Sequence, residues 1–185
     1  MTCCLEESAS RQSERATGRA RSVWTPPPSP SIKFNSDGAF IPSSNRAACG
    51  VIARDCGGEA LWWYSGRVVA SSALMVEAWT LRIACLAARD RGISHAYFET
   101  DCKELPEYVL ERNRNCPWEV ATLIEDIKAL ASGTSWKFGW CKQSSNQAAD
   151  WLARNGLNRV SFFSPGCIPS VLHDILTLDV TSSFE

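Results

Sequence analysis

Asp37, Glu77, Asp101 and Asp150 occupy settings where carboxylates are awkward. Asp37 follows the strand-like run Ile32-Lys33-Phe34-Asn35-Ser36, and Glu77 interrupts the apolar helical segment Ala73-Leu74-Met75-Val76-Glu77-Ala78-Trp79. Asp101 closes Ala96-Tyr97-Phe98-Glu99-Thr100, and Asp150 stands in Asn146-Gln147-Ala148-Ala149-Asp150-Trp151-Leu152. A buried carboxylate is costly unless positive charge neutralises it. Four such acids without basic neighbours point to bound divalent cations, and so to metal-assisted phosphodiester chemistry.

Each acid also has an ordinary explanation. Asp37-Gly38 reads as a turn. Asp101, with Glu104 three residues on, reads as a helix capping box. Asp150 suits a helix N-terminus through the macrodipole. Glu77 resists such treatment, because its helical neighbours Ala73, Leu74, Thr80 and Leu81 are small or largely apolar.

The elements that must position these acids follow from periodicity. Strands are expected at 32–36, 47–54 and 60–65, the last two joined by the turn-forming Asp55-Cys56-Gly57-Gly58. Apolar residues at 74, 78, 81 and 85 and at 76, 79, 83 and 86 predict a helix over 72–89, stopped at Gly92. A strand at 94–100 after that helix is the mark of a parallel crossover. Helices at 102–112 and 118–130, a strand at 135–142 and a helix at 147–155 complete the order βββαβααβα. The fold class is α/β: a mixed sheet, its first three strands antiparallel, flanked by helices. Residues 1–31, ending in Thr25-Pro26-Pro27-Pro28-Ser29-Pro30, are expected to be a disordered arm with a stiff Pro-rich spacer. Residues 32–158 form the domain, and 159–185, broken by Pro165 and Pro169, a C-terminal tail of uncertain order.

Composition excludes several alternatives. The 185 residues carry a net charge of −1, with 45% hydrophobic and 21% charged residues, which is ordinary for a globular chain. No apolar run approaches the roughly 18 residues of a membrane span, and the N-terminus lacks a secretory apolar segment. A cytoplasmic or nuclear protein, not secreted, is expected. The nine cysteines are scattered without C-x-x-C pairs, so they read as reduced thiols rather than a disulfide framework or zinc site. Two histidines leave little room for a histidine base. Residues 32–158 hold 14 basic and 14 acidic residues, so setting aside four metal-bound acids leaves a mildly basic surface that permits a polyanion. Trp62, Trp63, Trp136 and Trp140 read as core or edge packing before base stacking.

The four acids, in this order and setting, resemble the type 1 ribonuclease H superfamily, and most nearly its plant and retroelement-derived members. The segments that carry the resemblance are Lys33-Phe34-Asn35-Ser36-Asp37-Gly38-Ala39, Gly50-Val51-Ile52-Ala53-Arg54-Asp55, Glu77-Ala78 with its helix, Glu99-Thr100-Asp101-Cys102-Lys103-Glu104-Leu105, and Asn146–Ala153. The resemblance spans about 32–158 and extends to Trp24-Thr25-Pro26-Pro27. It implies a five-stranded mixed sheet and endonucleolytic cleavage of the RNA strand of RNA–DNA hybrids, with two Mg²⁺ ions or Mn²⁺ in their place. It further implies that Asp37 bridges both ions, that Asp150 helps hold the ion activating water, and that Glu77 and Asp101 hold the ion at the leaving oxygen. Gly38, Ser72, Lys142 and Asn146 are the accompanying candidate substrate contacts. A nucleic-acid partner, no membrane and a monomer are expected. The chain departs from the pattern in its short loop Trp140–Asn146, which has no histidine, and in Ala73 and Leu74 ahead of Glu77. It also has no basic insertion between the middle helices. The alternatives are a catalytically weak or inactive nucleic-acid-binding module of retroelement origin, a nuclease acting on DNA duplexes, and an interaction domain whose acids are caps and turns.

Overall fold

The structure, a computed structural model, describes residues 23–111, 115–158, 162–163 and 168–181. The strands are β1 (Ile32–Ile41), β2 (Arg46–Arg54), β3 (Ala60–Val68), β4 (Ala96–Thr100), β5 (Lys137–Trp140) and the two-residue β6 (Phe162–Phe163). The helices are α1 (Ala73–Asp90), α2 (Glu104–Leu110), α3 (Trp118–Ala131), α4 (Gln147–Gly156) and α5 (Ser170–Thr181). The sheet order is β5-β4-β1-β2-β3-β6. The first three strands are antiparallel, while β4 lies parallel to β1 and β5 parallel to β4. The expected five-stranded mixed sheet is present, with β6 added antiparallel at its edge. Among the described residues no helix is long and apolar enough to cross a membrane.

Local chemistry explains most boundaries. Ser72 caps α1 by accepting a hydrogen bond from the Met75 N–H at 3.2 Å. The helix closes with Gly92 at φ 65° and the Ile93 N–H donating to the Ala88 carbonyl, a glycine-terminated end. The β2–β3 hairpin is held by the Asp55 carboxylate, which accepts from the Gly57 and Glu59 N–H groups at 2.9 Å each. Gly50 and Gly156 let α4 lie directly on the sheet. A Cβ at Gly50 would run into the Ala149 carbonyl and the Ala153 nitrogen, so only glycine permits this approach.

The two sheet faces differ in kind. Phe34, Val51, Tyr64 and Phe98 pack with Val76, Leu81, Cys85, Ile124 and Ile127 in the large apolar core beneath α1 and α3. A period of two therefore sends Lys33, Asn35 and Asp37 to the other face. There, Lys33 pairs with Glu99 at 2.5 Å, and Asn35 accepts from the Trp24 indole N–H at 2.9 Å.

Two expectations change. Asp37-Gly38 is not a turn, because β1 runs through it to Ile41, with Asp37 opposite Gly50 and Gly38 opposite Cys49. The chain turns instead at Pro42–Asn45, where Asn45 takes the left-handed conformation (φ 49°). The expected start at residue 32 moves back: Trp24 is 1% exposed, and the Thr25 carbonyl accepts from Lys33 Nζ at 2.8 Å. The rest of the expected arm, residues 1–22, lies outside the described residues. The C-terminal tail, whose order the sequence leaves open, contains α5, whose Leu172 and Leu176 pack on Ile52, Trp63 and Leu152. The rest of the tail, apart from Phe162–Phe163 and Ile168–Pro169, also lies outside them.

Arg54 fastens these two end segments. It is fully buried, its guanidinium lies 3.7 Å from the Trp24 ring centroid, and it donates to Asp179 of α5 at 2.7 Å. Removing one member of a buried ion pair strands the other charge. Asp179→Ala should therefore lower stability by ~3–5 kcal/mol in urea unfolding, while Arg54→Leu with Asp179→Leu should cost much less than the single change.

Candidate metal centre

The register of the parallel pair builds the site. Ser36 lies beside Thr100, where β4 ends, so Asp37 and Asp101 follow side by side at the carboxyl end of the β1–β4 pair. This is where open α/β sheets gather functional groups. Glu77 arrives from α1. A Cβ on Gly38 would stand 2.8 Å from Val76 Cγ1 and 3.0 Å from the Glu77 nitrogen, so the glycine admits the helix. The Gly38 N–H then donates to Glu77 Oε1 at 3.2 Å, and the Thr100 hydroxyl donates to Glu77 Oε2 at 3.4 Å.

Asp37, Glu77 and Asp101 each contribute an oxygen to a group lying within 4.8 Å of one another. They line a cleft of about 480 Å³ whose other walls include Ala73, Leu74, Cys102, Glu104 and Tyr108. Burial pushes Asp37 up to about 9, and repulsion from Glu77, Asp101 and Asp150 adds to the shift. Burial also carries Glu77 up to about 8, with Asp101 raising it further and the Gly38 and Thr100 hydrogen bonds opposing. Asp101 is raised chiefly by burial. Positive charge is what this space lacks.

Asp150 stands beside the group but not in it. Its carboxylate accepts from Arg154 Nε at 2.8 Å, one helical turn away on α4. It remains close enough to raise Asp37. An i,i+4 pair of this kind holds by only ~0.3–0.5 kcal/mol, a weak tether against a divalent cation.

The four further candidates divide. Gly38 serves through its N–H and its lack of a side chain. Ser72 is committed to capping α1 and to donating to Glu119 Oε1 at 3.2 Å. Lys142 is exposed ahead of the short turn Gln143–Ser145. Asn146 is the most constrained: 1% exposed, its side-chain N–H donates to the Ser36 carbonyl at 3.0 Å, and its amide also steadies the Asp101 carboxylate. Its backbone carbonyl accepts from the Asp150 N–H at 3.0 Å, so one residue ties β1, the end of β4 and α4. Its Oδ1 is buried without a protein partner at the edge of the acid group, an open acceptor of the kind an ordered water satisfies.

The expected capping role of Asp101 is not found: α2 begins at Glu104 with Lys103 at the cap position and no side-chain cap bond. Thr100 and Tyr108 escaped sequence reasoning. Thr100 sits one residue before Asp101, where strand alternation turns it toward α1 and hence Glu77. Tyr108 is found from the i+4 spacing to Glu104 on α2.

The donor set fits a hard divalent cation: convergent carboxylate oxygens, with no imidazole in the group. The raised acids also fix a sign. Folded Asp37 and Glu77 hold protons more tightly than the unfolded chain, whose carboxyls titrate near 4. That contribution to stability is full below about pH 4 and is lost as pH rises through about 8–9. In EDTA the melting temperature should fall between pH 5 and pH 9. Asp37→Asn should raise it by several degrees at pH 8, each kcal/mol being worth about 2–4 °C at this length. A divalent ion should restore the wild-type protein at alkaline pH and leave the variant largely unmoved.

The sequence profile of the reverse transcriptase-like family matches residues 35–156. No curated protein matches the sequence significantly. Among solved structures, the chain is similar to the N-terminal ribonuclease H domain of a Mycobacterium tuberculosis protein (20% identity, TM-score 0.63, 74% of this chain and 95% of that one). It is also similar to ribonuclease H1 of the halophilic archaeon Halobacterium salinarum (19%, 0.64, 69% and 98%). A foamy viral protease–reverse transcriptase, solved with an RNA/DNA hybrid, aligns over 83% of this chain and 22% of its own (16%, 0.59). The strand order and the parallel crossover thus accompany a profile covering two-thirds of the sequence: the chain has the ribonuclease H fold and belongs to the reverse transcriptase-like family.

Proposed function

We propose that the chain is a metal-dependent endonuclease that hydrolyses the RNA strand of RNA–DNA hybrids, with Asp37, Glu77, Asp101 and Asp150 as its metal ligands. The observation that carries this reading is the convergence of three carboxylates within 4.8 Å in a cleft where burial drives their proton affinities upward. A similar structure, the compost-derived LC11 ribonuclease H1, was solved with an RNA/DNA hybrid (16% identity, TM-score 0.62), which supports the substrate class.

Two Mg²⁺ ions, when bound, supply an activated water and neutralise charge on the phosphorus and the leaving oxygen. Asp37, in mid-strand and 6% exposed between the other acids, would be a ligand to the bound metal. Glu77 is kept in orientation by the Gly38 N–H and the Thr100 hydroxyl. Asn146 holds Asp101, and its buried Oδ1 would be available to accept from an ordered water when metal is bound. Asp150 joins on releasing Arg154, whose guanidinium then stands at the rim of the site.

The second reading, a catalytically weak nucleic-acid-binding module, draws on that same contact: an Asp150 that stays on Arg154 leaves three ligands and no full second ion site. Labelled hybrid incubated with purified protein separates the two. On the first reading, fragments of the RNA strand appear in Mg²⁺, vanish in EDTA and fall by orders of magnitude in Asp37→Asn. Equal backgrounds from wild type and Asp37→Asn would sink it and leave the second.

A further inference from the structure

Of the tryptophans whose role the sequence left between packing and stacking, the structure separates one. Trp62, Trp63 and Trp136 are 7%, 5% and 9% exposed, whereas Trp140 is 44% exposed at the end of β5. Its position is fixed. The indole Nε1 donates to the Asp101 carbonyl at 3.0 Å, so the residue whose carboxylate belongs to the acid group also anchors this ring through its backbone. The segment Asp101–Lys103 thus meets both features: Asp101 and Cys102 line the cleft, and Lys103 lies against the indole.

Charge is distributed unevenly around this divide. On the α1–α2 side the cleft meets Glu104, with Glu119 close by at Ser72. On the β5 side Lys103 Nζ lies 4.8 Å from the Trp140 ring centroid, and Lys142 is exposed two residues beyond Trp140. A polyanion reaching the acids meets its favourable charge along β5 and like charge along α2.

We infer that Trp140, flanked by Lys103 and Lys142, is a nucleic-acid docking ledge on which a base stacks while the two ammonium groups receive the adjoining phosphates. The inference rests on the reading of this chain as a hybrid nuclease only for which strand lies there. Stacking of a base on an indole outweighs an exposed lysine–indole contact, so Lys103 yields the ring face and turns to phosphate. The Asp101 hydrogen bond keeps the ring from following the strand, so stacking transmits position to the acid group.

The test measures fluorescence anisotropy of short labelled RNA–DNA hybrid, single-stranded RNA and duplex DNA, in Mg²⁺ and in the Asp37→Asn background so that no turnover occurs. Trp140→Ala should weaken binding of the preferred probe about 5–150-fold, and Trp140→Phe should stay within about threefold of the parent. Lys103→Ala and Lys142→Ala should each reduce the salt dependence of log Kd by a little under one unit. Melting temperatures of the variants report whether folding is intact. Unchanged affinity in folded Trp140→Ala, or no binding of any probe by the parent, overturns the ledge. With Asp37 restored and labelled hybrid assayed in Mg²⁺, no cleavage beside Trp140-dependent binding keeps the ledge and removes the nuclease, whereas cleavage unchanged by Trp140→Ala does the reverse.

Discussion

Like charges that share a low-dielectric space cannot all stay ionised without a counter-charge, and the arrangement around Asp37 is organised by that constraint. Three carboxylates meet in a cleft that no lysine or arginine lines among the described residues, and the acids respond by retaining protons. The surrounding structure spends its polar groups on orientation rather than neutralisation. A backbone N–H and a hydroxyl hold Glu77, and an amide holds Asp101. Glycines at 38 and 50 draw α1 and α4 close enough to deliver their acids. The Arg154 guanidinium grips the outermost carboxylate, that of Asp150. Such a centre is destabilised in the deprotonated state unless a counter-charge enters it.

The row of β1 side chains on the α4 face shows how a sheet can carry this without failing elsewhere. Lys33 is matched by Glu99, Asn35 is satisfied by Trp24, Arg54 and Glu99, and only Asp37 is left without a cation. Frustration is thereby confined to one end of the row. The opposite face is almost wholly apolar, with Phe34, Phe98 and Phe138 stacked across three neighbouring strands at 5.1 Å spacings. That stack pins the β1–β4–β5 register, and so the level at which Asp37 and Asp101 emerge.

Much of this was legible in the residues, and what was not has physical causes. Alternation and the 3.6-residue period marked β1 to β5 and α1 to α4, because each buries one face. The Asp37-Gly38 pair misled, since turn chemistry is local while strand continuation depends on partners: β2 offers Gly50 and Cys49, and a better turn lies at Pro42–Asn45. The tail was opaque because the acid that docks α5 matches an arginine 125 residues away, beyond any local pattern. The convergence of acids needed a topology, which periodicity alone does not supply and the resemblance did. The Asp150–Arg154 spacing was visible as i,i+4, but its consequence depends on how far the other three acids stand from it. The open acceptor of Asn146 could not be read at all, being a property of what surrounds it.

The clasp at Arg54 has a bearing on how the chain comes to be made. Asp179 follows it by 125 residues, so at translation speeds of about 5–20 residues per second the guanidinium waits roughly 6–25 s for its partner. Glu77, Asp101 and Asp150 are synthesised in that interval, Asp37 having preceded it. During it the nascent sheet must either keep this arginine hydrated at an unfinished surface or lend it to a chaperone. Closure of that surface, with Arg54 held between Trp24 and Asp179, therefore waits until α5 has been made.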